Sequence, residues 1–292
     1  MNFRLAFAVT FLAALPACRK SAYETPRRAT SIVQHGPLHL RLMTYNVRYE
    51  NPAEAGSRAW KQRIIHSVRM IRAEHPDVFG IQEALHGQAA DLRASLPDYA
   101  FTGIGRDDGE KNGEYAAIFY RTDRFDAADH GVFWLSATPE TPGSKTWGNG
   151  FARIATWIRL IDRVTGRGFY VFNTHWDHRN QPSREKAAAL IARRIAARKH
   201  RDEPVILLGD FNAVETNPAL KTLASAGFVN TFPGRPGHRT TLHFWEGTAA
   251  GNRKVDHILV PENTRIIAAK IRDQDKPMLS DHFPVIAEVE LP

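Results

Sequence analysis

Val205-Ile206-Leu207-Leu208-Gly209-Asp210-Phe211-Asn212 and, further on, Ser280-Asp281-His282-Phe283-Pro284-Val285 decide how this chain is read. The first is a short apolar run that breaks into Gly-Asp, as a buried strand does where it meets its loop. The second is a polar cluster standing just before the last alternating apolar run, 283–291. Both place Asp, Asn or His at a strand end, where a rigid scaffold holds side chains toward a shared pocket.

The same arrangement recurs elsewhere in the chain. Leu38, Leu40 and Leu42 alternate with polar residues and run into Thr44-Tyr45-Asn46; Asp77–Gln82 runs into Glu83. The pattern predicts strands over 114–120, 124–135, 153–161 and 168–175, the last ending in Asn173-Thr174-His175-Trp176-Asp177-His178. Four more are predicted near 239–245, 254–260, 265–273 and 283–291, with Val255-Asp256-His257 opening one of them. Helical faces are read at Trp60, Ile64, Val68 and Ile71, over 87–95, after Pro182 and briefly after Pro218, proline being suited to a first helical turn. Many strands with few helices imply two packed sheets flanked by helices.

The chain has 292 residues, 43% of them hydrophobic and 24% charged, with a formal charge of +8. That composition predicts a packed globular core and excludes disorder, and a modest positive field favours an anionic substrate. Arg4, the apolar run Leu5–Leu15 and the small residues before Cys18 predict a secretory signal over 1–18. The run is too short to cross a bilayer. Cys18 is the only cysteine, and Leu15-Pro16-Ala17 before it resembles a lipobox, so membrane contact is expected only through an N-terminal lipid anchor, with plain release as the alternative. Residues 19–36 read as a tether and 37–292 as a single catalytic domain, expected to act as a monomer.

The strand-end inventory is Asn, Glu, Asp and His without a thiolate, which suits a hard cation such as Mg²⁺ or Mn²⁺. Each residue alone has a plain structural explanation. Taken singly, Asn46 reads as a turn cap, Glu83 as a solvent-facing strand end, Asp210-Phe211-Asn212 as a turn and Asp281-His282 as a surface pair. Six such coincidences at six strand ends are far less probable than one.

In this order the motifs resemble those of the endonuclease/exonuclease/phosphatase superfamily of metal-dependent hydrolases. The matching pieces are Tyr-Asn-Val at 45–47, Gln-Glu at 82–83, Asn-Thr-His at 173–175, Gly-Asp-Phe-Asn at 209–212, Val-Asp-His-Ile at 255–258 and Ser-Asp-His-Phe-Pro at 280–284. Gly113-Glu114-Tyr115, Arg153 with Ala155-Thr156-Trp157, and Lys254-Val255-Asp256-His257 fit a bacterial branch of envelope members. The resemblance implies an α/β fold, a four-layer αββα sandwich of two mixed β-sheets between helices. It implies Glu83 as the main metal carboxylate, with Asn46 beside it and Asp281 binding or orienting a metal-bound water. Asp210 positions or deprotonates the attacking water. His282, with Asp256 on its other nitrogen, meets the phosphoryl oxygens, and His175 faces them. Asn212, Arg153 and His178 contact substrate. One position departs: abasic-site endonucleases of the superfamily carry Asp two places after the first Asn, where this chain has Arg48.

The expected activity is hydrolysis of a phosphate diester on a nucleic acid or lipid head group. A phosphomonoesterase acting on a sugar or inositol phosphate is the alternative, and an inactive envelope binding protein is the alternative of another class. The complete polar set argues against the inactive protein.

Overall fold

The computed structural model describes Met1 and residues 36–233, 237 and 239–292. The expected signal at 1–18 and tether at 19–36 lie outside the described residues, apart from their outermost positions Met1 and Gly36. The described residues from Gly36 onward belong to one compact unit.

Two mixed sheets stack face to face. The first is built from β1 (Leu38–Asn46), β2 (Val78–Ala84), β3 (Tyr99–Thr102), β4 (Tyr115–Arg121), β11 (Arg265–Ile271) and β12 (Val285–Leu291), in the order β11-β12-β1-β2-β4-β3. The second contains β5 (Phe125–Trp134), β6 (Ile154–Asp162), β7 (Gly168–His175), β8 (Val205–Asp210), β9 (Phe228–Asn230) and β10 (Asp256–Pro261), in the order β5-β6-β7-β8-β10-β9. Each sheet has one parallel pair at its centre, β1 with β2 and β7 with β8. The other pairings are antiparallel. Helices α1 (Trp60–Glu74) and α2 (His86–Ser95) cover the first sheet; α3 (Gln181–Ala196) and α4 (Pro218–Ser225) cover the second. This is the four-layer sandwich that the strand and helix pattern implied.

The layers follow from side-chain alternation. Successive strand residues point to opposite faces. In β8, Ile206 and Leu208 enter the core between the sheets, while Val205 and Leu207 pack with Leu190, Ile191, Leu220 and Leu223 of α3 and α4. In β1, Leu38, Leu40 and Leu42 face the opposite sheet, whereas Met43 and Tyr45 pack with Trp60, Val68 and Ile71 of α1. The starts of α3 and α4 are set locally. Asn180 accepts the Ser183 N–H at 3.0 Å and Asn217 accepts the Ala219 N–H at 3.0 Å, each with a proline in the first turn, so the first orphan donors of both helices are satisfied.

The structure corrects one predicted strand. Residues 239–245 form no strand among the described residues beyond an isolated bridge between Leu242 and His282. The segment is rich in strand-forming residues, but Phe244 and Trp245 both take left-handed conformations, with φ of 49° and 66°, and turn the chain out of any ladder. Two edge strands went unpredicted, Tyr99–Thr102 and Phe228–Asn230. At four and three residues they are too short to show a period.

Candidate active site

The strand alternation that fills the inter-sheet core also builds the site. The row Leu40, Leu42 of β1 continues as Thr44 and Asn46, and the row Ile206, Leu208 of β8 continues as Asp210. Phe169 and Val171 of β7 are followed in the same row by Asn173 and His175, and Ile258 and Val260 of β10 are preceded by Asp256. Register brings these ends together: His175 pairs with Asp210 and Asp210 with Asp256. Each row is therefore apolar in the middle and polar at the same edge.

A first polar layer closes the core beneath that edge. Gln82 donates to Thr44 Oγ1 at 3.0 Å and to Asn173 Oδ1 at 2.7 Å, while Asn173 donates across the sheets to the carbonyls of Ile81 at 2.9 Å and Ala117 at 2.8 Å. Gly80 makes room for this bridge, since a Cβ there would lie 2.6 Å from Asn173 Cγ. Asn173 was noticed only as part of its motif; its bridging position depends on the facing sheet.

Above that layer Asp210 is the hub. Its Oδ1 accepts the Asn212 N–H at 2.9 Å; its Oδ2 accepts from Asn46 Nδ2 at 3.0 Å and lies 3.6 Å from His175 Nε2 and 3.9 Å from His282 Nε2. Asn46 Nδ2 also donates to Glu83 Oε1 at 3.0 Å, and Asn46 Oδ1 accepts the Arg48 N–H at 2.9 Å. His282 Nδ1 lies 2.8 Å from Asp256 Oδ2, with the Asp256 and Val255 N–H groups on Thr241 Oγ1. Asn212 Nδ2 donates to the Trp176 carbonyl at 3.0 Å, which fixes the turn after Asp210.

Burial and neighbours separate the charge states. Burial alone would depress His282, but Asp256, reinforced by Asp210 and Asp281, holds the imidazolium well above its ordinary range. Burial, followed by the field of Arg153, depresses His175 to about 3, so its ring is neutral. Burial and then Asp256 raise Asp210, while burial outweighs His282 to raise Asp281.

Backbone strain concentrates here. Glu83, Arg48 and Asn212 have φ of 65°, 57° and 46°, a region that non-glycine residues rarely adopt and that persists where surroundings over-determine it. At Glu83 the cause is visible: the β2–β4 register shifts between Ile81 and Ala84. That bulge turns Glu83 toward Asn46 and Asp210, although its position in the strand would aim it at the helices.

A side wall joins the centre on the β6–β7 side. Arg153, 3% exposed, donates from Nη2 to His178 Nδ1 at 3.0 Å, while its Nε and Nη1 have no partner. No carboxylate among the described residues pairs with it. Phe151 stacks on His178, and Arg106 lies over Phe151 and pairs with Glu114. Glu114 Oε2 is 3.4 Å from His175 Nδ1, a contact that its place beside Gly113 and Tyr115 did not reveal.

The donors suit a divalent cation. Ligand atoms of Glu83, Asp210 and His282 lie within 4.8 Å of one another. The carboxylates of Glu83 and Asp210 are acceptor-rich and held by few donors, as a hard ion requires. The charged ring of His282 offers no lone pair, so the oxygens are the apt ligands. Asn46 turns its nitrogen rather than its oxygen toward Glu83 and Asp210, so in this arrangement it orders the carboxylates. Asp281 meets Arg48 Nη1 at 3.7 Å.

Two stacked mixed sheets with an Asn, Glu, Asp and His cluster at one edge define a particular architecture, the DNase I-like sandwich. Residues 43–282 match the model of the endonuclease/exonuclease/phosphatase family, and the chain belongs to that family. It is similar to a solved endonuclease/exonuclease/phosphatase protein of Bacteroides vulgatus, with 34% identity and a TM-score of 0.82 over 87% of this chain and 100% of that one. Mannosyl-6-phosphatase Bt3783 of Bacteroides thetaiotaomicron superposes with a TM-score of 0.79 and 32% identity over 86% of this chain and 99% of that one. An uncharacterized protein, L388, of Acanthamoeba polyphaga mimivirus is 28% identical over 160 residues, which span 52% of this chain and 59% of that protein.

Proposed function

We propose that the protein is a divalent-metal-dependent phosphoesterase whose preferred substrates are phosphomonoesters of sugars or similar polyols. The observation that carries the choice of monoester is the buried Arg153, a guanidinium that among the described residues hydrogen-bonds to an imidazole and forms no direct ion pair, with Glu114, Asp177 and Asp210 acting on it only from a distance. A monoester dianion presents three terminal oxygens and a diester monoanion two. Metal, His282 and Arg153 supply a cationic group for each of three. The similarity to mannosyl-6-phosphatase Bt3783 supports the same class of substrate. The sequence alone put diesters first, because the charge balance around Arg153 is set by the fold.

A bound Mg²⁺ or Mn²⁺, held through Glu83 Oε1 on the Asp210 side, would neutralise phosphoryl charge. In this reading Asp210 orients the attacking water and accepts its proton at Oδ2. The Asn212 N–H and Asn46 Nδ2 keep that carboxylate in place. Asp210 Oδ2 and His282 Nε2, 3.9 Å apart, are close enough to reach one small reacting group lying beside them. His282, oriented by Asp256, donates to a phosphoryl oxygen where charge grows in the transition state. His175 supplies a neutral donor, and Arg153 backs the site with His178.

The test compares turnover of metal-loaded protein on sugar 6-phosphates, a bis-aryl phosphodiester and an oligonucleotide. Sugar phosphates should show the highest kcat/KM. Arg153→Met should lower kcat/KM on monoesters by about 10–10², the worth of one charged contact, and affect the diester much less. A higher kcat/KM on diesters, or an equal loss on both in Arg153→Met, would overturn the monoester assignment.

A further inference from the structure

We infer that the guanidinium of Arg48 occupies the space a second metal ion would need, so that the site takes one divalent cation per chain. The inference rests on the metal-dependent reading above and concerns a residue that reading does not use.

Arg48 Nη1 lies between two carboxylates, 3.8 Å from Glu83 Oε2 and 3.7 Å from Asp281 Oδ2. Carboxylates on either side of one point are what a bridging divalent ion would require, and here the point is filled by a cation belonging to the chain. Glu83 is divided accordingly. Its Oε1 faces Asn46, in the direction of Asp210, and its Oε2 faces Arg48 and the Tyr49 N–H, at 3.2 Å. The oxygen left for an external ion is therefore on the Asp210 side.

Arg48 is also fixed there. Glu54 Oε1 accepts from both its Nε at 3.1 Å and its Nη2 at 3.0 Å, two bonds to one oxygen that orient the guanidinium. The Arg48 N–H bonds Asn46 Oδ1, and the Arg48 carbonyl accepts from Arg63 Nη2 and Gln88 Nε2, both at 3.0 Å. Tyr49 lies beneath the guanidinium, 4.4 Å from ring centroid to Cζ. Swinging the side chain out would break both bonds to Glu54 Oε1 and leave a largely buried carboxylate without that partner. Arginine keeps its proton at any working pH, so its repulsion of a neighbouring divalent ion does not switch off.

Removing Arg48 would expose Glu54, Glu83 and Asp281 to one vacated space, three carboxylates that each lose their cation within 4 Å there. That is the coordination a second Mn²⁺ seeks. The test is Mn²⁺ stoichiometry on the purified full chain, read from the free-ion electron paramagnetic resonance signal. Wild type should bind one equivalent, and Arg48→Asp and Arg48→Gly two. Glycine tolerates the left-handed backbone at this position, so Arg48→Gly decides the question if Arg48→Asp fails to fold; melting curves identify which variants are folded. Two equivalents in wild type, or a single equivalent in a folded variant, would overturn the inference and leave metal dependence standing. No binding by wild type at millimolar Mn²⁺ would overturn both.

Discussion

Removing the His282 ring is expected to separate chemistry from stability. Its Nδ1 lies 2.8 Å from Asp256 Oδ2, and Asp256 Oδ1 has no hydrogen-bond partner among the described residues. Alanine at 282 therefore deletes a cationic donor from the proposed phosphoryl site and strands a carboxylate that is only 1% exposed. The first loss should lower kcat by about 10²–10³, or roughly 3–4 kcal/mol, the usual worth of one preorganised donor to developing charge. The second should lower folding stability by about 3–5 kcal/mol, as when one partner of a buried pair is removed. Asp256→Asn keeps an oxygen on Nδ1 but removes the charge, and should lower kcat by only about tenfold, the difference between a charged and a neutral hydrogen bond. The double variant should turn over about as slowly as His282→Ala, because the pair acts as a unit. It should also be more stable than that single variant, since a neutral amide is cheaper to bury. The assay is kcat and KM on a sugar phosphate at saturating metal, with urea melts on the same preparations. Near-normal turnover in His282→Ala, or a double variant far slower than the single, would refute the reasoning.

Three other outcomes test different parts of the structure. Glu83→Gln should fold normally but lose most of its Mn²⁺ affinity, measured by calorimetric titration; unchanged affinity would remove Glu83 from the metal site. Gly80→Ala should destabilise the fold by about 1–3 kcal/mol through overpacking, because its Cβ would meet Asn173 Cγ at 2.6 Å; an unchanged urea midpoint would show that the inter-sheet bridge yields easily. Burial depresses Lys254 to about 8, against partial support from Glu215. The unfolded state thus holds that proton more tightly between pH 8 and about 10.4, and wild-type stability relative to Lys254→Met should rise across that window by at most about 3 kcal/mol. A flat difference between the two proteins over that range would deny the shift.

The order of strands, the polar residues that end them and the kind of ion they suit were legible in the sequence because the strand period is local. Alternation alone puts Asn46, Asp210 and Asp256 on the rows occupied by Leu42, Leu208 and Ile258, so their orientation follows from counting. Tertiary structure decided the rest. Glu83 lies off its row and reaches the site through a bulge formed against β4, and no single-strand pattern encodes a register shift. The expected strand at 239–245 failed because Phe244 and Trp245 adopt left-handed conformations against their residue types. The family resemblance singled out Arg48 as a departure and Arg153 as a substrate contact, but no local pattern says what either guanidinium faces. Their placement, one between Glu83 and Asp281 and the other in the wall beside His178, depends on which distant segments the two sheets bring into contact. Charge balance is a sum over neighbours in space, and sequence spacing does not contain it.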